Sequence, residues 1–215
     1  MKAKTIKSLL NASYQESPPE KLKNGLRLDK ELTTPTVKTY YNKNTDEAYV
    51  VHRGTKGASD WLNNVAYLTG NYKRTDRFKQ AEKIQNKAEE KYGKQNISTL
   101  GHSQGSVLAR ELGKDTKQVI NVNPAYKFER PLKNEYNIRS SGDVVSALYA
   151  PVAEARKVLY PNYSKAHDIT IPSDTPSNPL DEHSYKILDR LGKREIGVGA
   201  SDGIRQSTIN EGFRN

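Results

Sequence analysis

The sequence predicts an α/β fold: a mostly parallel central sheet flanked by helices on both faces, with an antiparallel hairpin on its N-terminal side. Three observations predict it. Strand-like and helix-like segments alternate through the middle of the 215-residue chain, the pattern that parallel strands joined by helical crossovers produce. The run "AYVV" is apolar without alternation, as expected of a strand covered on both faces. "TVKTYYNKNTDEAYVVHRG" holds two β-rich runs, 36–41 and 47–52, around a turn-prone Asn-Lys-Asn-Thr-Asp segment, which reads as the hairpin.

Each element follows from local chemistry. Residues 1 to about 15 suit a short amphipathic helix, which Pro18 and Pro19 end. After the hairpin, Trp61, Leu62, Val65, Ala66 and Leu68 suit a short helix capped by Ser59 or Asp60. In the next helix Thr75 is the N-cap, Phe78, Ala81, Ile84, Ala88 and Tyr92 recur every three or four residues, and Gly93 supplies the stop. A strand at 96–100, a Gly-flanked turn and a helix carrying Val107, Leu108 and Leu112 come next. "KQVINVNPA", "EYNIRSSGDVVS" and "AHDITIP" read as three further strands. "LDEHSYKILDRLG" reads as a closing helix with Ile187, Leu188 and Leu191 on its apolar side. These elements make one domain over residues 1–195, and the aperiodic residues 196–215 are expected to form a flexible tail.

Composition narrows the function classes. The chain has no cysteine, which excludes disulfides, cysteine-ligated zinc and thiol catalysis. The net charge of +10 favours encounter with anionic partners. The lysines of "RFKQAEKIQNKAEEKYGK" alternate with acids and read as a solvated helix face, so no nucleic acid is expected as a partner. "MKAKTIKSLLNASYQ" is too poor in apolar residues for a signal peptide, and no segment reaches membrane-spanning length. These features are compatible with a cytoplasmic location.

The chemistry gathers around "TLGHSQGSVLA". A serine between Gly101 and Gly105, at a strand-to-helix turn, is either a helix cap or a nucleophile elbow that lifts Ser103 above the sheet. As nucleophile, Ser103 requires a base, a group to orient the base, and donors for an oxyanion. Only His167 and His183 follow it. His183, in the junction after the final strand, is favoured over His167, which begins that strand, because sites form at the carboxyl ends of parallel strands. Asp143, in the loop after "EYNI", fits best as the acid; Asp168, Asp174 and Asp181 are alternatives. Gln104 follows the nucleophile and would supply one oxyanion amide. Thr55, after the strand that ends at His52 and the turn at Gly54, would supply the other, with its hydroxyl as a further donor. His102 is expected to pack or hydrogen-bond beneath the elbow, and Arg53 and Asp60 to brace the oxyanion loop. Trp61 reads as core. Val145, Leu148, Tyr149 and Val152 either line an acyl pocket or belong to a buried helix.

"VVHRGTKGASDWLNN", "TLGHSQGSVLA", "SSGDVVSAL" and "DEHSYKIL" together resemble the class 3, fungal-lipase-like α/β-hydrolases. In that family an RG[ST] turn after a strand, a DW pair, GHSxG, a later Asp loop and a late His occur in this order. The resemblance spans about residues 36–191. It implies an α/β-hydrolase fold, a Ser103–Asp143–His183 triad, an oxyanion hole at Thr55 and Gln104, and no cofactor. The reaction implied is hydrolysis of carboxylic esters through an acyl-enzyme, with a lipid or small ester as substrate and an anionic membrane surface as a peripheral contact. The chain departs from the secreted fungal lipases in lacking cysteines, and no signal peptide is expected of it. Its triad intervals are compressed, and no amphipathic lid stands out between Trp61 and Phe78. The rival readings are an inactive hydrolase-fold binding or structural protein, and a peptidase or thioesterase using the same triad.

Overall fold

The computed structural model describes residues 1–55, 71–125, 130–143, 150–162, 167–174, 178–198 and 200. Among them, seven strands form one sheet in the order of the chain: β1 (Arg27–Asp29), β2 (Val37–Asn42), β3 (Glu47–His52), β4 (Ile97–His102), β5 (Gln118–Val122), β6 (Glu135–Ser140) and β7 (Asp168–Ile171). β2 and β3 are the antiparallel hairpin, in register from Val37 opposite His52 to Asn42 opposite Glu47. β1, which carries no strong sequence signal, adds antiparallel to its outer edge. From β3 to β7 every neighbour is parallel. The register therefore gathers the carboxyl ends at one edge: His52 lies opposite Gly101, His102 opposite Val122, and Ser140 opposite Ile171.

Strand order decides which helices cover which face. Successive right-handed crossovers that always step in the same direction place their helices on one side of a sheet. α1 (Ala3–Tyr14) precedes the sheet, whereas α2 (Asp76–Tyr92) and α3 (Gly105–Leu112) are crossovers. α2 and α3 accordingly share a core with one face, in which Phe78, Ala81, Ile84, Ala88, Val107 and Leu108 pack with Val37, Ala48, Val50 and Ile97. The other face is covered by the two ends of the chain. Ile6, Leu9 and Leu10 of α1 meet Tyr40, Tyr49, Val51, Leu100, Ile120, Ile138, Ile187 and Leu188 there. The apolar run of β3 thus divides by parity, Ala48 and Val50 to one core and Tyr49 and Val51 to the other.

The ends of α2 form as its residues dictate. The Thr75 hydroxyl accepts the Phe78 N–H at 3.2 Å, and Gly93 takes φ +80° at the other end. A further helix, α4 (Ala150–Leu159), precedes β7. The segment expected to be one closing helix is divided: a single turn, Pro179–Glu182, is followed by a 3₁₀-helix, Tyr185–Leu191, with His183 in the break. Ser184 makes the break by capping the second piece, its hydroxyl accepting the Lys186 N–H at 3.2 Å. Ile187, Leu188 and Leu191 are buried as the spacing predicts.

Residues just past 195 are packed. Ile196 is buried, its N–H donates to the Met1 carbonyl at 2.8 Å, and the Val198 N–H donates to Gln118. Residues 201–215 lie outside the described residues, as do the helix expected at 59–68, Asp60 and Trp61. Among the described residues no helix is long and apolar enough to cross a membrane.

Candidate active site

Ser103 sits in the turn between β4 and α3 at φ +53°, a conformation that L-residues rarely adopt and that costs of order 1–3 kcal/mol at strained functional positions. Its N–H donates to the Val122 carbonyl at 3.1 Å, which ties the turn to β5. The flanking glycines permit the crowding: a Cβ on Gly101 would lie 2.5 Å from the Ser106 Cα, and one on Gly105 would lie 2.2 Å from the His52 carbonyl oxygen. Only glycine allows α3 to start this close to the ends of β3 and β4.

The three residues singled out from sequence meet above this edge. His183 Nε2 is 2.8 Å from Ser103 Oγ, and His183 Nδ1 is 2.8 Å from Asp143 Oδ1. A carboxylate only accepts, so Nδ1 carries the hydrogen and Nε2 is left to accept from the serine hydroxyl. The Asp143 side chain is fully buried and that of His183 is 14% exposed, so the His183 ring retains access to solvent while the Asp143 carboxylate does not.

The alternatives lie elsewhere. His167 precedes β7, at the opposite end of the parallel strands, where Nδ1 is 2.8 Å from the Glu135 carbonyl and the ring stacks on Tyr136. Asp168 accepts from Asn137, Asp174 pairs with Arg190, and Asp181 accepts from Asn178.

The backbone around His183 is held at three consecutive carbonyls. Asn123 Nδ2 donates to those of Glu182 at 2.9 Å and Ser184 at 3.4 Å, and His102 Nε2 lies 2.8 Å from that of His183. Asn123 itself follows β5 at φ +45°, and its Oδ1 accepts the Ser140 N–H at 3.0 Å. One side chain thus joins the strand that leads to Asp143 to the loop that carries His183. Beneath the loop the Glu182 carboxylate is fully buried, where it accepts from Nη1 and Nη2 of Arg190, each at 2.9 Å, and from the Ser140 hydroxyl. Such a two-pronged pair has the geometry that an ion pair needs inside a protein.

His102 occupies the place expected of it, beneath the elbow. Its Nε2–H must face the carbonyl of His183, so Nδ1 accepts, and the Tyr14 hydroxyl donates to it at 2.6 Å. The same Tyr14 oxygen accepts the Gly54 N–H at 2.8 Å. Burial pushes the Tyr14 phenol up to about 12, so it remains a donor at neutral pH. The last residue of α1 thereby connects the loop after β3 to the serine turn and the His183 loop.

Thr55 and Gln104 face each other across the elbow. Among the described residues neither backbone N–H has a hydrogen-bond partner. The Thr55 hydroxyl, expected as a further donor toward an oxyanion, instead gives its single hydrogen to Gln104 Oε1 at 3.0 Å. Arg53 braces the loop by donating to the carbonyls of Pro35 at 2.9 Å and Gly54 at 3.1 Å. Val145, Leu148 and Tyr149, named as acyl-pocket residues, fall outside the described residues, and so does the side chain of Val152.

Two histidines beneath the site are kept neutral. Burial lowers both His52 and His102 to about 3; the Arg77 charge adds to the effect on His52, and His183 adds to that on His102. In the unfolded chain each returns to a value near 6.5, so below that pH the unfolded state holds more protons. Their contribution to stability is therefore complete above about pH 6.5 and is lost progressively as pH falls toward 3, at up to about 1.4 kcal/mol per pH unit for each ring. Denaturant titrations are expected to show stability falling between pH 6.5 and 5 and His52→Asn removing about half of that dependence. An unchanged slope in the variant would contradict this account.

Tyr14, Arg77, Asn123 and Glu182 are the residues of the site that sequence reading passes over. Asn123-Pro124 after a strand marks a turn, which hints at the special backbone of Asn123. Tyr14 and Arg77 carry no local signal, because their partners lie far along the chain.

The sequence matches, over residues 36–144, the model of a family described as a domain of unknown function, DUF6792. No curated protein matches it. Among solved structures, the Rhizomucor miehei lipase in complex with its propeptide is similar with a TM-score of 0.52 and 12% identity, over 81% of this chain and 68% of that one. The Lip2 lipase of Yarrowia lipolytica aligns with a TM-score of 0.44 and 16% identity, over 67% of this chain and 73% of that one. Its nonglycosylated form gives 0.45 and 16%, over 66% and 72%. The likeness to the Rhizomucor structure shows a shared lipase-like α/β-hydrolase fold. The matched stretch from Thr36 to Val144 includes more than half of the residues, and with it the turns bearing Thr55, Ser103, Gln104 and Asp143, so the chain belongs to the DUF6792 family.

Proposed function

We propose that the protein is a serine hydrolase of carboxylic esters, lipase-like or phospholipase-like, that works through an acyl-enzyme on Ser103. The observation that carries this reading is the unbroken chain of 2.8 Å contacts from Ser103 Oγ through the His183 ring to Asp143. Two amides without partners among the described residues stand beside it.

In the proposed reaction the Ser103 hydroxyl passes its proton to His183 Nε2 as Oγ bonds to the ester carbonyl carbon. Asp143 stabilises the imidazolium and holds the tautomer. The carbonyl oxygen becomes an oxyanion that the N–H groups of Thr55 and Gln104 receive, assisted by the positive end of α3. Collapse breaks the bond to the alkoxy oxygen, which leaves as the alcohol with the proton from Nε2. Water then gives a proton to Nε2 and attacks the acyl carbon; the carboxylic acid departs and Ser103 regains its hydrogen. No metal or organic cofactor enters any of these steps. The net charge of +10 favours an anionic lipid surface as the place of encounter.

A fluorophosphonate probe followed by peptide mass spectrometry is the direct test, with modification of Ser103 as the expected result. Absence of labelling on folded protein would defeat the reading. Ester, thioester and amide substrates of matched acyl chain, together with phospholipid vesicles with and without anionic lipid, then establish the class. Esters are expected to lead, and vesicle turnover to rise with anionic content.

A further inference from the structure

The two amides proposed to receive the oxyanion belong to different loops, one after β3 and one after β4, and backbone hydrogen bonds do not join Thr55 to Gln104. A side chain does. Arg77, in the first turn of α2, donates through Nη1 to Gln104 Oε1 at 2.8 Å and through Nη2 to the Arg53 carbonyl. Gln104 Oε1 also accepts the Thr55 hydroxyl at 3.0 Å. The guanidinium fork therefore holds the residue after the nucleophile with one prong and the stretch after β3 that carries Thr55 with the other. The Gln104 side chain, only 3% exposed as a residue, is the piece between them.

We propose that Arg77 is a positioning residue that sets the separation of the Thr55 and Gln104 amides, acting through the Gln104 side chain and the Arg53 carbonyl. This rests on the function proposed above. Hydrogen bonds from a charged donor are roughly twice as strong as neutral ones, and a planar fork fixes two acceptors in one geometry, whereas the donors of an ammonium rotate on a flexible stem. Gln104 contributes twice: its backbone N–H is one of the two proposed oxyanion donors, and its side-chain oxygen accepts both the Arg77 tether and the Thr55 hydroxyl. The Gly54 N–H bond to Tyr14 supplies a separate anchor for the loop on the side of α1. With both loops tied before any ligand arrives, the amides need no rearrangement as negative charge develops. Their benefit then belongs to the transition state rather than to substrate binding.

The test uses the full chain with p-nitrophenyl butyrate as the probe ester, and thermal melts confirm that each variant is folded. Arg77→Gln is expected to lower kcat about tenfold to a hundredfold with KM within about twofold of the parent, less than the loss of an entire oxyanion donor. Arg77→Lys is expected to recover part of kcat, because the ammonium keeps the charge and can still donate but lacks the rigid fork that fixes both acceptors. Gln104→Leu keeps the backbone N–H but removes the acceptor of both the Arg77 tether and the Thr55 hydroxyl, so it should fall at least as far as Arg77→Gln, and the double variant by less than the product of the two losses. A folded Arg77→Gln with parental kcat, a change confined to KM, or a double variant whose losses multiply would each overturn the role of Arg77 while leaving the hydrolase reading intact. A parent chain that neither labels at Ser103 nor hydrolyses the ester would sink the hydrolase reading, and the inference with it.

Discussion

Ser103→Ala, His183→Ala and the double substitution are expected to lower kcat by the same factor, about 10⁶, rather than by factors that multiply. The reason is geometric. Ser103 Oγ and His183 Nε2 share one hydrogen at 2.8 Å, so removing either partner eliminates the same proton transfer and the second removal has nothing left to eliminate. Asp143→Asn should cost about 10⁴, because an amide can present its NH₂ to Nδ1 and so favour the wrong tautomer of His183. The residual rate of all these variants is expected to come from the two proposed amide donors, which the substitutions leave in place. Steady-state kinetics on the probe ester measure the four values. Losses of Ser103→Ala and His183→Ala that multiply in the double variant would mean that the two side chains act separately, and the triad would have to be abandoned.

Gly105→Ala is expected to lower stability by about 3 kcal/mol, or roughly 6–12 °C in melting temperature for a chain of this size. The added methyl would stand 2.2 Å from the His52 carbonyl oxygen and 2.7 Å from that of Arg53, both backbone atoms that cannot rotate away. Relief requires α3 to withdraw from the end of β3. That shift would carry Gln104 away from Arg77 and Thr55, so activity should fall together with stability. A thermal melt beside the kinetic assay reports both. A variant with parental melting temperature would show that the helix can adjust, contrary to the close approach seen here.

The order of the elements was legible because each depends on near neighbours. The turn between β2 and β3, the cap at Thr75, the stop at Gly93 and the glycines around Ser103 are chemistry within a few residues, and burial parity along β3 is a period that can be counted. The apolar spacing of the closing segment, Ile187, Leu188 and Leu191, suits both helix types and so reads as one helix. What divides it is the cap at Ser184 and the three carbonyls held by Asn123 and His102, partners that are remote in sequence. The partner of the Thr55 hydroxyl is invisible in the sequence for the same reason, since its acceptor lies 49 residues away.

By itself the sequence determined the kind of sheet, the glycine-flanked strand-to-helix turn at Ser103 and the short set of histidines and aspartates available to it. Tertiary structure alone decided that His183 and Asp143 meet Ser103 while His167 stays at the far end of β7, and that Tyr14, Arg77 and Asn123 hold the loops in place. Local preferences follow from the backbone and side chains of adjacent residues, whereas a hydrogen bond between loops exists only once strand register has brought their ends to a common edge.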